Sequence, residues 1–227
     1  MMNWTNRVFK GLLSFFLESN CCLCDRSTEE VICVYCQEQL QKCRLDNPCQ
    51  FWQQESPLFA WGSYDSTLSR AIKTLKYQNQ PQLAKPMGQW LGQAWLDSDL
   101  GRKSGKVIVI PIPSHPRKLA ERGFNQAELI GRSFCQFTGF SLQTSGLVRV
   151  KETEAMFSLN AKQREENIAD AFDLGKSFQR QTPRLPVLLL DDIYTTGATI
   201  KAATQTLHSN GVRVLGAIAL AATASGK

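Results

Sequence analysis

At 227 residues, 43% of them hydrophobic and 20% charged, the chain has the composition of a globular protein with one medium domain and room for a small module. A net charge of +6 favours anionic partners such as phosphates or nucleic acid. No apolar run approaches the ~18 residues that a bilayer-crossing helix needs, which excludes such a span.

Residues 4–17 read as an amphipathic helix. Arg7 and Lys10 beside the apolar stretch from Val8 to Leu17 imitate a short signal sequence. Glu18-Ser19-Asn20 then leads straight into cysteines with no small-x-small cleavage site, so the expected location is cytoplasmic.

Seven of the eight cysteines lie between positions 21 and 49. Cys21-x2-Cys24 and Cys33-x2-Cys36 form two knuckles, a spacing that in a reducing compartment points to tetrahedral zinc (Zn²⁺) rather than to disulfides. Four thiolates leave no open position for a substrate, so the site would be structural. So short a segment buries too little apolar surface to fold alone, and the metal would supply its folding energy. Cys22 could replace its neighbour Cys21 as a ligand. Cys43 and Cys49 are too far apart for a third knuckle and read as remnants of one or as buried thiols. A redox or disulfide unit is the alternative, and it needs an oxidising compartment. Residues 47–58, bounded by Pro48 and Pro57, read as a linker. The expected division is a cysteine module over 1–55 and a main domain over 56–227.

In the main domain a strand is expected from Leu58 to Tyr64. Leu68, Ile72 and Leu75 then follow helical spacing, with Lys73 and Lys76 read as a solvated face. Asn79-Gln80-Pro81 breaks that helix, and a second runs from about Leu83 to Leu96. Val107 to Ile112 is a strong strand whose exit is marked by Pro111 and Pro113. The basic segment Ser114 to Gln126 reads as a loop at the strand's carboxyl end, where ligands bind in open α/β sheets. Arg117, Lys118 and Arg122 are its candidate pyrophosphate-holding cations. His115 is one of only two histidines, and a lone histidine is more often structural than catalytic. A helix is expected from Asn125 to Phe137, with Cys135 in the core. Leu147 to Val150 is a short strand, residues 151–167 a mobile loop, and Ala171-Phe172 an ordered turn.

Val187-Leu188-Leu189-Leu190 suits a central parallel strand covered on both faces. It is expected to end in Asp191 and Asp192, which can accept hydrogen bonds from a vicinal diol such as the 2- and 3-hydroxyls of ribose. Thr195, Thr196, Gly197, Ala198 and Thr199 follow as a turn rich in hydroxyls and backbone N–H groups. A helix to about Asn210 would place its positive N-terminus at the same turn, a phosphate site. Diol acceptors and a phosphate cradle within nine residues describe a ribose 5-phosphate clamp. A last strand is expected from Val212 to Leu220. Strands alternating with helices give an α/β fold with a parallel sheet.

The stretch from Val187 to Thr199 resembles the phosphoribosyl pyrophosphate (PRPP) signature of type I phosphoribosyltransferases: an apolar strand, paired acids, then T-T-G-x-T. Further features accompany it in order. They are the paired C-x2-C; Tyr64-Asp65 and Leu75-Lys76-Tyr77; Pro111-Ile112-Pro113; Arg122-Gly123-Phe124-Asn125-Gln126; and Arg164-x2-Asn167 with Ala171-Phe172. Together they resemble the ComF family, competence protein F and its DNA-utilisation relatives, over nearly the whole chain. Two departures are Met156 where the family often has Gln, and a third cysteine pair stretched to Cys43 and Cys49.

The resemblance implies a zinc-binding module of Cys21, Cys24, Cys33 and Cys36 before a type I phosphoribosyltransferase-like domain. It implies that Asp191 and Asp192 hold the ribose hydroxyls and that Thr195 to Thr199 hold the 5-phosphate. Mg²⁺ would bridge pyrophosphate and ribose oxygens, and a nucleophile would displace pyrophosphate at C1. A role in processing imported single-stranded DNA beside a helicase-like partner is implied as well. Two other readings stay open: an active purine or pyrimidine phosphoribosyltransferase, marked by pyrophosphate release with a supplied base, and a non-catalytic zinc adaptor for single-stranded DNA or a helicase, marked by steep salt dependence of DNA binding.

Overall fold

The structure is a computed structural model that describes residues 19–54, 56–151 and 170–223. The helix expected over 4–17 lies outside these residues, as do Thr153, Met156, Arg164 and Asn167 of the expected mobile loop. The chain divides into two compact units, 1–42 and 43–227; the division expected from the sequence falls at residue 55. Residues 43–54 are part of the second unit. Ser63 N donates to Cys43 O, and Leu58 N donates to Phe51 O.

In the first unit, β1 (Ser19–Asn20) and β2 (Ser27–Thr28) pair antiparallel, and α1 covers Val34–Gln41. Ile32 and Leu40 are its main buried aliphatic side chains. Among the described residues of this unit the remaining buried hydrophobic side chains are cysteines, Cys21, Cys33 and Cys36.

The second unit is built on a five-stranded, wholly parallel sheet of order β3-β9-β8-β4-β5. Its strands are β3 (Leu58–Ser63), β4 (Ile108–Pro111), β5 (Ser141–Leu142), β8 (Val187–Tyr194) and β9 (Val214–Ala222). Val187, Leu188, Leu189 and Leu190 are fully buried in the central strand, as an unbroken aliphatic run requires. The helices are α2 (Ser66–Tyr77), α3 (Ala84–Asp97), α4 (Asp99–Lys103), α5 (Pro116–Arg122), α6 (Gln126–Thr138), α7 (Lys176–Arg180) and α8 (Ala198–Ser209). Helices α3 and α6 meet closely: a Cβ on Gly88 would lie 2.5 Å from Ile130 O, and Ser133 Oγ donates to Lys85 O at 2.6 Å. Among the described residues no helix is long and apolar enough to cross a membrane.

Four expectations are corrected. The basic loop after β4 contains α5, which starts at Pro116 and is closed by Gly123 in the left-handed conformation (φ 84°). Seven residues without a buried position leave no periodicity to read, but a proline at the first turn and a glycine just past the end bracket a helix. The central strand does not stop at the acids; it continues through them to Tyr194, because Asp191, Ile193 and Tyr194 keep their register with Ala219, Ala221 and Ala222 of β9. The strand read at Leu147 forms β6 (Leu147–Arg149) outside the parallel sheet, paired antiparallel with β7 (Phe172–Leu174), where a turn was expected. The two-residue edge strand β5 is too short to leave a pattern.

This topology gathers the motifs. Strands β4 and β8 are parallel neighbours, so the segments leaving their carboxyl ends, 112–126 and 195–199, emerge side by side. Strand β3 runs in the same direction two places away, which brings Tyr64 and the start of α2 to the same edge.

Candidate functional site

A cleft of about 230 Å³ opens at this carboxyl edge. Its wall includes Asp191, Asp192, Thr195 and Thr199 from the β8 segment, and Lys118, Arg122, Ser114 and Gln126 from the β4 segment. Tyr64, Lys76, Tyr77 and Arg149 complete it from β3, α2 and β6. Six of the ten candidate residues of the second unit therefore meet in one place.

The other four do not line the cleft. Gly197 and Ala198 are buried and shape the turn. Gly197 holds φ at 78°, and a Cβ there would lie 2.2 Å from the Tyr194 hydroxyl, so the position admits only glycine. Thr196 is exposed. Arg117 bonds through Nε to Glu121 one turn away. No side chain caps α8, so its first-turn N–H groups and the positive end of its dipole face the turn.

The acid pair is electrostatically unequal. Asp192 is 4% exposed, and its Oδ2 lies 2.5 Å from Lys76 Nζ. Burial opposes the charge of Lys76, but the carboxylates of Asp192 and then Asp191 outweigh it and hold its pKa above the ordinary lysine value. Asp191 accepts from Asp192 N at 2.8 Å. Burial and the neighbouring Asp192 carboxylate push Asp191 up to about 8, against the pull of Lys76. The shift favours the protonated carboxyl, which can donate one hydrogen bond and accept others. Arg149 is lowered by burial while Asp191 opposes that effect, and its guanidinium lies 5.6 Å from the Phe172 ring centre.

The R-G-F-N-Q string has a local role at each polar position. Gly123 ends α5; Asn125 caps α6 through Ala127 N and donates to Ile112 O at 3.0 Å, which ties the segment to the end of β4. Ser114 Oγ donates to Asn125 Oδ1 at 3.2 Å. Arg122 bonds to Gln126 and lies 5.4 Å from the Tyr77 ring centre, so both polar side chains stay at the cleft. His115 caps α5, its Nδ1 accepting from Arg117 N at 3.3 Å, and is not among the cleft residues.

Lys76 and Arg149 are the residues that the sequence reading missed. Lys76 was assigned to a solvated face, yet it continues the four-residue spacing of the buried Leu68 and Ile72. That spacing was the available signal. Arg149 follows a two-residue apolar pair and carried no signal of its own.

In the first unit the four thiols Cys21, Cys24, Cys33 and Cys36 have Sγ atoms all within 4.8 Å of one another, a group that could hold a metal ion. Tetrahedral zinc with Zn–S near 2.3 Å places sulfurs about 3.8 Å apart, and Cys24 and Cys33 Sγ are separated by 3.6 Å. The first knuckle is tightened by Asp25 N donating to Cys21 O, with Asp25 at a φ of 58°. Cys33 N donates to Cys21 Sγ at 3.3 Å. Cys21, not Cys22, belongs to the group. In the second unit, Cys43 is buried and donates to Asp65 Oδ1 at 3.2 Å; that carboxylate also caps α2. Cys135 is buried in α6, as expected.

No protein-family model matches the chain. Among solved structures, an adenine phosphoribosyltransferase from Trypanosoma brucei, in complex with AMP, pyrophosphate and ribose-5-phosphate, is similar with a TM-score of 0.41 and 8% identity, over 83% of this chain and 79% of that one. Among curated proteins, DNA utilization protein YhgH of Salmonella typhimurium is 26% identical over 198 residues, 84% of this chain and 85% of the relative. Competence protein F of Haemophilus influenzae is 30% identical over 152 residues, 66% of either chain. With the cysteine group, the R-G-F-N-Q segment and the acid-pair turn each in place along a parallel α/β sheet, the chain belongs to the ComF family, that of competence protein F and DNA utilization protein YhgH.

Proposed function

We propose that residues 43–227 bind a ribose 5-phosphate ligand, PRPP foremost, and that the protein uses this binding in DNA utilisation. The observation that carries the reading is the meeting of the acid pair, Thr195 and Thr199 with four cationic side chains in one cleft. A ribose ring with its vicinal hydroxyls at Asp191 and Asp192 would direct its 5-phosphate to the Thr195–Thr199 turn, where hydroxyls and the α8 N-terminus receive it. Lys118 and Arg122, on the wall supplied by the β4 segment, would receive a pyrophosphate. Mg²⁺ would enter with PRPP, since it retains waters and substrate phosphates and needs no dedicated protein cage.

In the first unit the metal is Zn²⁺ and its role is structural. The names of the relatives, competence protein F and DNA utilization protein YhgH, support a place in DNA handling; single-stranded DNA and a helicase-like protein as partners, in the cytoplasm, are part of the proposal.

The test is calorimetric titration of the full chain with ribose 5-phosphate, ribose and inorganic phosphate in Mg²⁺ buffer. Ribose 5-phosphate is expected to bind at least about tenfold more tightly than either part, because the clamp engages both ends of the ligand. Equal affinity for inorganic phosphate would reduce the cleft to a general anion site and contradict the reading.

A further inference from the structure

Two adjacent carboxylates in an anion-binding cleft repel each other and any phosphate that enters. Two carboxylates side by side are also an ordinary oxygen-ligand site for a divalent cation. Here the position against Asp192 is already taken. Lys76 Nζ lies 2.5 Å from Asp192 Oδ2, and the two side chains are 14% and 5% exposed. Lys76 rides on a helix whose Leu68, Ala71, Ile72 and Leu75 are fully buried, so its backbone is held beside the acid pair. Among the described cleft residues, Lys76, Lys118, Arg122 and Arg149 set four positive charges against at most two negative ones from Asp191 and Asp192. The wall is positive with no metal ion at all.

We propose that Lys76 is the built-in counter-cation of the acid pair: a positioning residue that holds Asp192 and lets the cleft take up a sugar phosphate with no divalent cation at its two carboxylates. The proposal rests on the ribose phosphate reading and concerns the sugar phosphate part of the ligand. Any Mg²⁺ arriving with a pyrophosphate would be held by the ligand's own oxygens and not by the two carboxylates. The ammonium replaces the metal's charge, and its three donors fix the Asp192 carboxylate, so the ribose hydroxyls meet an acid pair already oriented.

The probe is ribose 5-phosphate, which has no pyrophosphate to demand Mg²⁺. The full-length protein is titrated in 5 mM-scale Mg²⁺ buffer, that is about the level that saturates weak Mg²⁺ sites, and in buffer freed of divalent cations by a chelating resin before protein is added. That treatment leaves metal on the cysteines, which a strong soluble chelator would strip. Wild-type affinity is expected to agree in the two buffers within about threefold. Lys76→Met is expected to bind at least about tenfold more weakly in the stripped buffer, with recovery on adding Mg²⁺, because the acid pair then needs a counter-cation from outside. A purely structural role for Lys76 would not create Mg²⁺ dependence. Wild-type binding that vanishes in the stripped buffer overturns the proposal, as does a folded Lys76→Met protein with equal affinity in both. If that variant does not fold, the wild-type comparison decides alone. Wild-type protein that binds in neither buffer removes the ribose phosphate reading itself, an outcome distinct from binding that needs Mg²⁺.

Discussion

Cys33→Ser is expected to abolish the ordered structure of residues 19–41. The four Sγ atoms lie within 4.8 Å of one another, and Cys33 contributes both a thiol and the N–H that bonds Cys21 Sγ. Among its described residues Ile32 and Leu40 are the main buried aliphatic side chains. Structural zinc supplies roughly 10–16 kcal/mol of folding free energy in small metal modules, far more than two aliphatic side chains at roughly 1.5–3 kcal/mol each. A serine hydroxyl is a poor replacement for a thiolate ligand, so most of that free energy goes with the substitution. Wild-type protein should carry one tightly held zinc, and its Cys21, Cys22 and Asp25 amides, which donate to Arg26, Val31 and Cys21 carbonyls, should exchange slowly with solvent. In the variant those amides should exchange at unprotected rates and the zinc should be lost. A variant with unchanged zinc content and unchanged protection would show that the knuckles are not the unit's scaffold.

Asp191→Asn should make the protein more stable at pH 8 while removing its sugar phosphate binding. In the folded protein Asp191 is held at about 8, by burial and by the Asp192 carboxylate; unfolded, it returns to about 3.9. Between those values the folded state holds a proton that the unfolded state has released. Stability from this group is therefore fully present below about pH 4, declines as pH rises toward 8, and levels off above it. Asparagine never ionises, and its Oδ1 can still accept from Asp192 N. Each pKa unit is worth about 1.4 kcal/mol, and the loss of the Asp191 carboxylate's attraction for Lys76 offsets much of the roughly four-unit shift, so the variant gains roughly 1–3 kcal/mol at pH 8. At pH 4 the two proteins should be nearly equal. Urea unfolding at both pH values measures this; a variant less stable than wild type at pH 8, or an equal gap at both, would contradict it. An acid kept at such a disadvantage fits a group retained for binding.

The most legible parts of this chain were those with long, strong patterns. The aliphatic run Val187–Leu190, the amphipathic helices α2, α3 and α6, and the strand before Pro111 carry enough buried positions to fix their period. The cysteine group was legible because ligand spacing is a local constraint. Short elements were not. Helix α5 has no buried residue, and strands β5 and β7 have two and three residues, too few to alternate. Within the site, the β8 segment could be read from one string, since strand, acids and turn follow each other in sequence. The spacing of Lys76 from Leu68 and Ile72 signals that it is buried, but its meeting with Asp192, and the approach of Arg149 to Asp191, come from the packing of a helix and a separate two-stranded sheet onto this edge, which no local string encodes. Arg117 and Lys118 show the limit in reverse. Adjacent on a short helix, they point apart, so Lys118 reaches the cleft while Arg117 bonds to Glu121.

The measurement that bears most directly on the ribose phosphate clamp is titration of the zinc-loaded protein with PRPP and Mg²⁺, beside Asp191→Asn. That variant is the right control because it is expected to be at least as stable as wild type near neutral pH, so a loss of binding cannot be blamed on unfolding. Saturable binding by wild type, weakened at least about tenfold in the variant, is the predicted result. Folded wild-type protein that binds no PRPP, or a variant that binds it equally well, would contradict a clamp built on the acid pair and the turn after it.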